Sequence, residues 1–329
     1  MTLVDHRTVA HWSITPITSH DHPLIADFLA TTTGLGGRKF AADSRDVAEH
    51  LDGGLPGATI VVRDDAGAVR GYAALHGPGG SEPEFSAELA VDPALPPNVV
   101  DDIVGHIVAR FRAEATPEAY LRSFIGTDQQ SGIDALVRRG ARQEGQFIRT
   151  RKPLHDEDPA ALAAAAIDGL TVVSWPQIVS DGLGEQVRRL QYDTFLEHFG
   201  NMSKTPGQWE HHIASRAFTP DFSLAAVADG EVVGYVLGST YTAGVAGAEE
   251  RSAHTDYIGV RRDRRGRGIA ELLLRKIWLA ALRRGIPVAS LGTDVNNRSN
   301  AHVLYRRLGY VAVEDQFAYR IDADDKDPK

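Results

Sequence analysis

Two stretches of the chain alternate apolar and polar residues as a β-hairpin does. Ile60-Val-Val-Arg63 and Val69-Arg-Gly-Tyr-Ala-Ala-Leu75 are strand-like runs joined through an Asp-Ala-Gly turn. Ala225-Ala-Val-Ala228 and Glu231-Val-Val-Gly-Tyr-Val-Leu-Gly238 repeat the device around Asp229-Gly230, again with a Gly-Tyr pair in the second strand. After each hairpin the periodicity predicts a strand, a long amphipathic helix, a strand, a second helix and a closing strand. Val91, Ala135-Leu-Val-Arg-Arg-Gly140 and Gln146-Phe-Ile-Arg149 in the first half are echoed by Val260, Leu304-Tyr-Arg-Arg-Leu-Gly309 and Gln316-Phe-Ala-Tyr-Arg320 in the second. The chain therefore reads as two copies of one fold.

In the second copy the pattern predicts strands over 170–175, 222–229, 231–240, 251–261, 287–294 and 310–321. Helices are expected over 183–198, 205–216, 267–284 and 299–308. Mixed order of this kind implies an α/β fold: two tandem domains, each a mixed central β-sheet flanked by helices. Between the copies, residues 155–169 are polar and proline-containing, then alanine-rich, and read as a linker. Alanine's helix propensity leaves a packed helix as the alternative. The division is placed at 1–159 and 160–329.

Composition narrows the function. The 329 residues carry 35 Lys+Arg against 44 Asp+Glu, a net charge of -9, which opposes global attraction to a nucleic-acid backbone. With no cysteine there can be no disulfide, thiolate metal site or cysteine nucleophile. The 13 histidines show no metal-ligand spacing, so no metal is expected. No apolar run approaches the ~18 residues of a membrane span, and the start lacks a secretory pattern. A cytoplasmic protein without membrane or nucleic-acid partners is the expectation; the oligomeric state is left open.

The most informative segment joins the strand Thr255-Asp-Tyr-Ile-Gly-Val260 to Arg261-Arg-Asp-Arg-Arg-Gly-Arg-Gly268, immediately before a helix. Glycines let successive N–H groups converge, the helix N-terminus adds partial positive charge, and five arginines supply charged donors. A pyrophosphate suits such a place. Neither the dinucleotide fingerprint nor the Gly-Lys-Ser/Thr loop is present, so the ligand is another phosphate carrier.

Val260 followed by Arg265-Gly-Arg-Gly-Ile-Ala270 resembles the acetyl-coenzyme A signature of the GNAT acyltransferase superfamily, and Leu304-Tyr-Arg-Arg-Leu-Gly-Tyr310 resembles the same superfamily's downstream motif. The tandem arrangement is similar to two-domain GNAT acyltransferases of the mycothiol synthase type. That resemblance implies coenzyme contacts at Ile258, Gly259, Val260, Arg265, Gly266, Arg267, Gly268, Ile269 and Ala270, with Asn297 on the pantetheine arm and an oxyanion donor at the Val260 backbone or beside it. Tyr305 is implied as the general acid. Strand alternation puts residues 254, 256, 258 and 260 on one face, which makes Asp256 and His254 the alternative general bases.

Aligning the copies on Gly140 and Gly309 places Pro96-Pro-Asn-Val99 opposite the arginine-glycine loop, Leu136 opposite Tyr305, and Phe85 and Ala87 opposite His254 and Asp256. The first copy is expected to be noncatalytic, walling the substrate cleft or stabilising the second. The resemblance implies that the first two helices of the second copy line the acceptor pocket, which makes Glu197, His198, Trp209 and His212 candidate acceptor contacts. The resemblance implies acetyl-CoA-dependent N-acetyl transfer to the primary amine of a small metabolite, for instance an antibiotic or secondary-metabolite intermediate, by direct attack in a ternary complex. The alternative is a noncatalytic acyl-CoA-binding or sensing protein.

Overall fold

A computed structural model describes residues 12–32, 43–78, 82–196, 202–245, 248–295 and 301–324. In chain order the first half gives β1 (Ser13–Pro16), α1 (His22–Thr31), α2 (Ser44–Leu51), β2 (Ile60–Arg63), β3 (Val69–His76), β4 (Glu84–Val91), α3 (Pro97–Glu114), β5 (Tyr120–Gly126), α4 (Gln130–Val137) and β6 (Arg142–Pro153). The second half gives α5 (Pro159–Ala164), β7 (Thr171–Ser174), α6 (Trp175–Ser180), α7 (Gly184–Phe195), α8 (Pro206–Ala214) and β8 (Leu224–Ala228). It continues through β9 (Glu231–Val245), β10 (Ala248–Val260), α9 (Ile269–Arg283), β11 (Val288–Asp294), α10 (Ala301–Arg307) and β12 (Val311–Asp322). The mixed α/β reading holds, and the repeat is visible element by element.

The halves do not keep separate sheets. One twelve-stranded sheet runs β1-β2-β3-β4-β5-β12-β6-β11-β10-β9-β8-β7. The closing strand of each half thus lies against the fifth strand of the other: β12 pairs antiparallel with β5 from Gln316 to Asp322, and β6 pairs with β11 from Phe147 to Pro153. The two exchanged strands also pair with each other. Charged groups lock this seam. Arg122 on β5 is buried and bonds Glu84 and Glu144, while Arg320 lies 3.9 Å above the Tyr120 ring and reaches Glu144 at 3.6 Å.

Apolar positions pack on both faces. On one, α3 covers Phe85, Leu121 and their neighbours, and α9 covers Ala253, Ala289 and Leu291. On the other, α1 and α2 pack over Val61, Tyr72 and Ala90, and α7 and α8 over Ala225, Tyr235 and Leu237. Two expectations change. The alanine-rich stretch opens as helix α5, because Leu162 inserts beside Trp278 and Ile277 of α9, and Lys276 Nζ caps the carbonyls of Leu162 and Ala163. A short helix, α6, follows β7 where a Ser174–Gln177 capping box and Pro176 favour one. No helix among the described residues is long and apolar enough to cross a membrane.

The exchange makes each half incomplete at the centre of its sheet. Residues 160–329 expressed alone should be insoluble or self-associated, because β11 and β12 lose the strand between them. Co-expression with residues 1–159 should restore a soluble one-to-one complex on size-exclusion chromatography. A monomeric, folded 160–329 fragment would show that the exchange is dispensable.

Candidate active site

The site begins where two parallel strands separate. β10 pairs with β11 only from Ser252–Thr255 against Val288–Leu291, after which β10 continues to Val260 against β9 and β11 to Asp294 against β6, no longer paired with each other. Arg261 N–H donates to the Val233 carbonyl at 2.9 Å. Antiparallel alternation then turns the N–H groups of Ile258 and Val260 away from β9, into the wedge between β10 and β11. A sheet normally spends these donors on a neighbouring strand; here they face a cleft.

A β-bulge sits at the head of the wedge. Thr255 opposes Gly238 and Tyr257 opposes Leu237, which leaves Asp256 as the extra residue. This corrects the alternation expected from sequence. Ala253, Ile258 and Val260 face the α9 core, whereas Tyr257 packs among the α7 and α8 residues. His254 and Asp256 do share a face, with Ser239 and Tyr241 of β9, but Ile258 and Val260 lie on the opposite one. A one-residue insertion inverts every side chain beyond it.

The two candidate bases are held differently. Asp256 accepts hydrogen bonds from Ser239 Oγ and, at 3.3 Å, from Tyr241 Oη. His254 is buried, with Nδ1 2.8 Å from Ser290 Oγ and its ring edge-on to Tyr241 at 4.8 Å between centroids. His212 Nε2, from α8, lies 3.9 Å from Asp256 Oδ2. Burial, with smaller contributions from Lys204 and His211, lowers the His212 pKa to about 3, so the contact is not an ion pair at neutral pH. Ser239 and Tyr241 escaped the sequence analysis because only the β9–β10 register brings them to Asp256.

Beyond Val260 the chain makes a single 3-10 turn and enters α9 through Gly266 and Gly268, at φ of +75° and +79°. Those values favour glycine at both positions. Of the five arginines, Arg261 bonds Asp263 and Glu231, and Arg264 approaches Asp229 and Asp263, so two are largely engaged by local carboxylates. Arg265 Nε donates to the Val260 carbonyl at 3.1 Å and ties the loop to the strand end. The loop, the N-terminus of α9 and Arg262, Arg264 and Arg265 line one end of a cleft of about 1170 Å³.

Tyr305 on α10 lines the same cleft, buried against Tyr310 at 6.0 Å between ring centroids. Burial pushes its phenol up to about 12. The structure therefore gathers Tyr305, Asp256, His254 and His212 with Ile258, Gly259, Val260, Arg265, Gly266, Gly268, Ile269 and Ala270 around one space, whose lining does not include Arg267. Trp209 instead packs in the α7–α8 core. Asn297, Glu197 and His198 lie outside the described residues.

Residues 185–310 match the Acetyltransferase (GNAT) family profile. Over this segment, which lies in the second half, the chain is similar to the GNAT family. The chain is also 31% identical over 129 residues to a mycothiol acetyltransferase of Streptomyces coelicolor, an alignment that covers 39% of each chain. The chain thus spans well under two thirds of that relative. Two solved structures resemble the chain over nearly its whole length and show its fold. One is a GCN5-related N-acetyltransferase from Sphaerobacter thermophilus (TM-score 0.69, 23% identity, 99% of this chain and 98% of that one). The other is a tandem GNAT protein from the clavulanic acid biosynthesis pathway (TM-score 0.69, 19% identity, 96% and 100%).

The neutral His212 sets a pH dependence. Once unfolded, the imidazole titrates near its ordinary 6.5, so between pH about 6.5 and 3 the unfolded chain takes up a proton that the native protein refuses. Stability contributed at this position is present above that window and declines as pH falls, by at most about 1.4 kcal/mol per pH unit. His212→Phe should flatten the stability curve from pH 6 to 4 in urea denaturation.

Proposed function

We propose that the protein is an acetyl-CoA-dependent N-acetyltransferase acting on the primary amine of a small molecule, with the second half as the catalytic unit and the first as a partner that completes its sheet and cleft. The observation that supports this most is the convergence, at one wedge, of the outward N–H groups of Ile258 and Val260, the glycine-bent entry to α9, and the side chains of Asp256 and Tyr305. The family match and the mycothiol acetyltransferase relative point the same way.

The cleft fits the coenzyme on its own chemistry. Positive-φ glycines and an exposed helix N-terminus suit a pyrophosphate, the unpaired strand edge suits an amide-bearing arm, and the volume exceeds what a small acceptor alone fills. In this reading the N–H of Val260 or Ile258 donates to the acyl oxygen and stabilises the charge that develops there as the amine nitrogen bonds to the carbonyl carbon. Asp256, oriented by Ser239 and Tyr241, takes the proton released by the amine; His254 is the alternative acceptor. As the C–S bond breaks, Tyr305 faces the departing sulfur. Burial pushes its phenol up to about 12, so Tyr305 is protonated and can offer its O–H to that sulfur. Without cysteine there is no acyl-enzyme relay through sulfur, which favours a ternary complex.

Calorimetry with acetyl-CoA should show one site, lost in Gly268→Asp, where a side chain meets both positive φ and phosphate charge. Two sites, or one that survives, would assign coenzyme binding elsewhere. Tyr305→Phe should lower kcat by ~10²-fold or more with coenzyme affinity nearly unchanged. Unaltered turnover would remove Tyr305 from the chemistry.

A further inference from the structure

The chemistry above uses one wall of the cleft, while the opposite wall belongs to the first half. There β4 and β5 repeat the wedge: they pair from Glu84–Ala87 against Tyr120–Ser123 and then part. Asp92 N–H donates to Arg70 O, so the N–H groups of Leu89 and Val91 turn away from β3, at positions equivalent to Ile258 and Val260. On the α3–α4 side this second wedge is filled. Leu89 and Ile125 close over Gly132, where even a Cβ would come within 2.5 Å of Ile125, and Leu136 stands where Tyr305 would.

The other face is open and polar and lines the shared cleft. Glu88, the first β4 residue beyond the pairing, projects into the shared cleft. Tyr72 Oη donates to Glu88 Oε1, and His50 Nε2, from α2, donates to Oε2. Burial raises the Glu88 pKa, but the charge of His50 and these two hydrogen bonds outweigh it and hold the carboxyl below its usual range. Each oxygen keeps acceptor capacity, and the side chain is still 33% exposed. Charges of both signs line the cleft: Arg262, Arg264 and Arg265 at its loop end, where Arg307 pairs with Glu271; Arg149 and Asp294; Asp256 on the second-half wall; and Glu88 at the first-half end beside Asp46, which pairs with Arg216.

We propose that the first half carries a subsite for a second ammonium group of the acceptor, with Glu88 as its ligand and His50 and Tyr72 as positioning residues. The acceptor is then a diamine-type molecule, one amino group presented to Asp256 and the other to Glu88. This rests on the acyl-transfer reading of the cleft and adds its substrate class.

The test is calorimetric titration of the whole protein with α,ω-diaminoalkanes from butane to octane, the matching n-alkylamines and the matching amino alcohols, followed by acetyl-transfer kinetics with the same probes. One diamine length should bind about tenfold tighter than its monoamine and amino alcohol, the scale of one well-placed charge contact. Glu88→Gln should abolish that preference, raising KM for the diamine while leaving the monoamine unchanged. Glu88→Asp should keep the preference but move the optimum to a longer diamine, a shift that a merely structural carboxylate would not produce; near-UV circular dichroism checks that both variants fold. A wild-type protein without diamine preference, or a preference that survives Glu88→Gln, overturns the subsite. An amino alcohol that binds as well as the diamine overturns the ammonium assignment. Selective diamine binding without acetyl transfer would instead sink the acyl-transfer reading, so the two failures are distinguishable.

Discussion

The pairing of β6 with β11 on one edge and β12 on the other is the contact on which the rest of this structure depends. It inserts a strand of the first half into the second and, through β12 and β5, a strand of the second into the first. Backbone hydrogen bonding in a sheet is cooperative and register-specific, so this exchange fixes the relative position of the halves more tightly than apposed surfaces would. The buried Arg122 with Glu84 and Glu144 adds a charged network whose members are costly to separate once out of water. Because the joint lies at the centre of the sheet, the helices α2 and α8 that flank the cleft face each other across it. Arg216, just beyond α8, bridges to Asp43 and Asp46 beside and within α2 at 2.9 and 2.5 Å.

Within that frame, the cleft arises from what the sheet omits. β10 and β11 pair for four residue positions and then diverge, leaving backbone donors aimed at empty space. The bulge at Asp256 then separates roles by face: upstream, His254 and Asp256 look toward α8 and the cleft, and downstream, Ile258 and Val260 pack toward α9 while their N–H groups face the wedge. A regular strand would have carried all four side chains to one side. The irregularity is what allows a carboxylate and a row of backbone donors to serve one space from one strand.

The two halves use the same wedge for different ends. In the second, Gly266 and Gly268 open a path to the N-terminus of α9. In the first, Pro96 and Pro97 replace that path and Leu89, Ile125 and Leu136 fill the slot, while the opposite face keeps the polar cluster of Glu88, His50 and Tyr72.

The sequence by itself determined the repeat, the mixed α/β class, the arginine- and glycine-rich loop at residues 265–270 and the candidacy of Tyr305, because these rest on local periodicity and on short contiguous motifs. It determined the face shared by His254 and Asp256 for the same reason. Tertiary structure alone decided the strand exchange, since a closing strand has the same alternation whichever sheet it joins. It also decided the bulge, because an extra residue shows only against its partner strand, and the engagement of Arg261 and Arg264 by carboxylates from separate turns. The cluster of Glu88, His50 and Tyr72 needed α2, β3 and β4 to meet in space, and no spacing along the chain records that meeting.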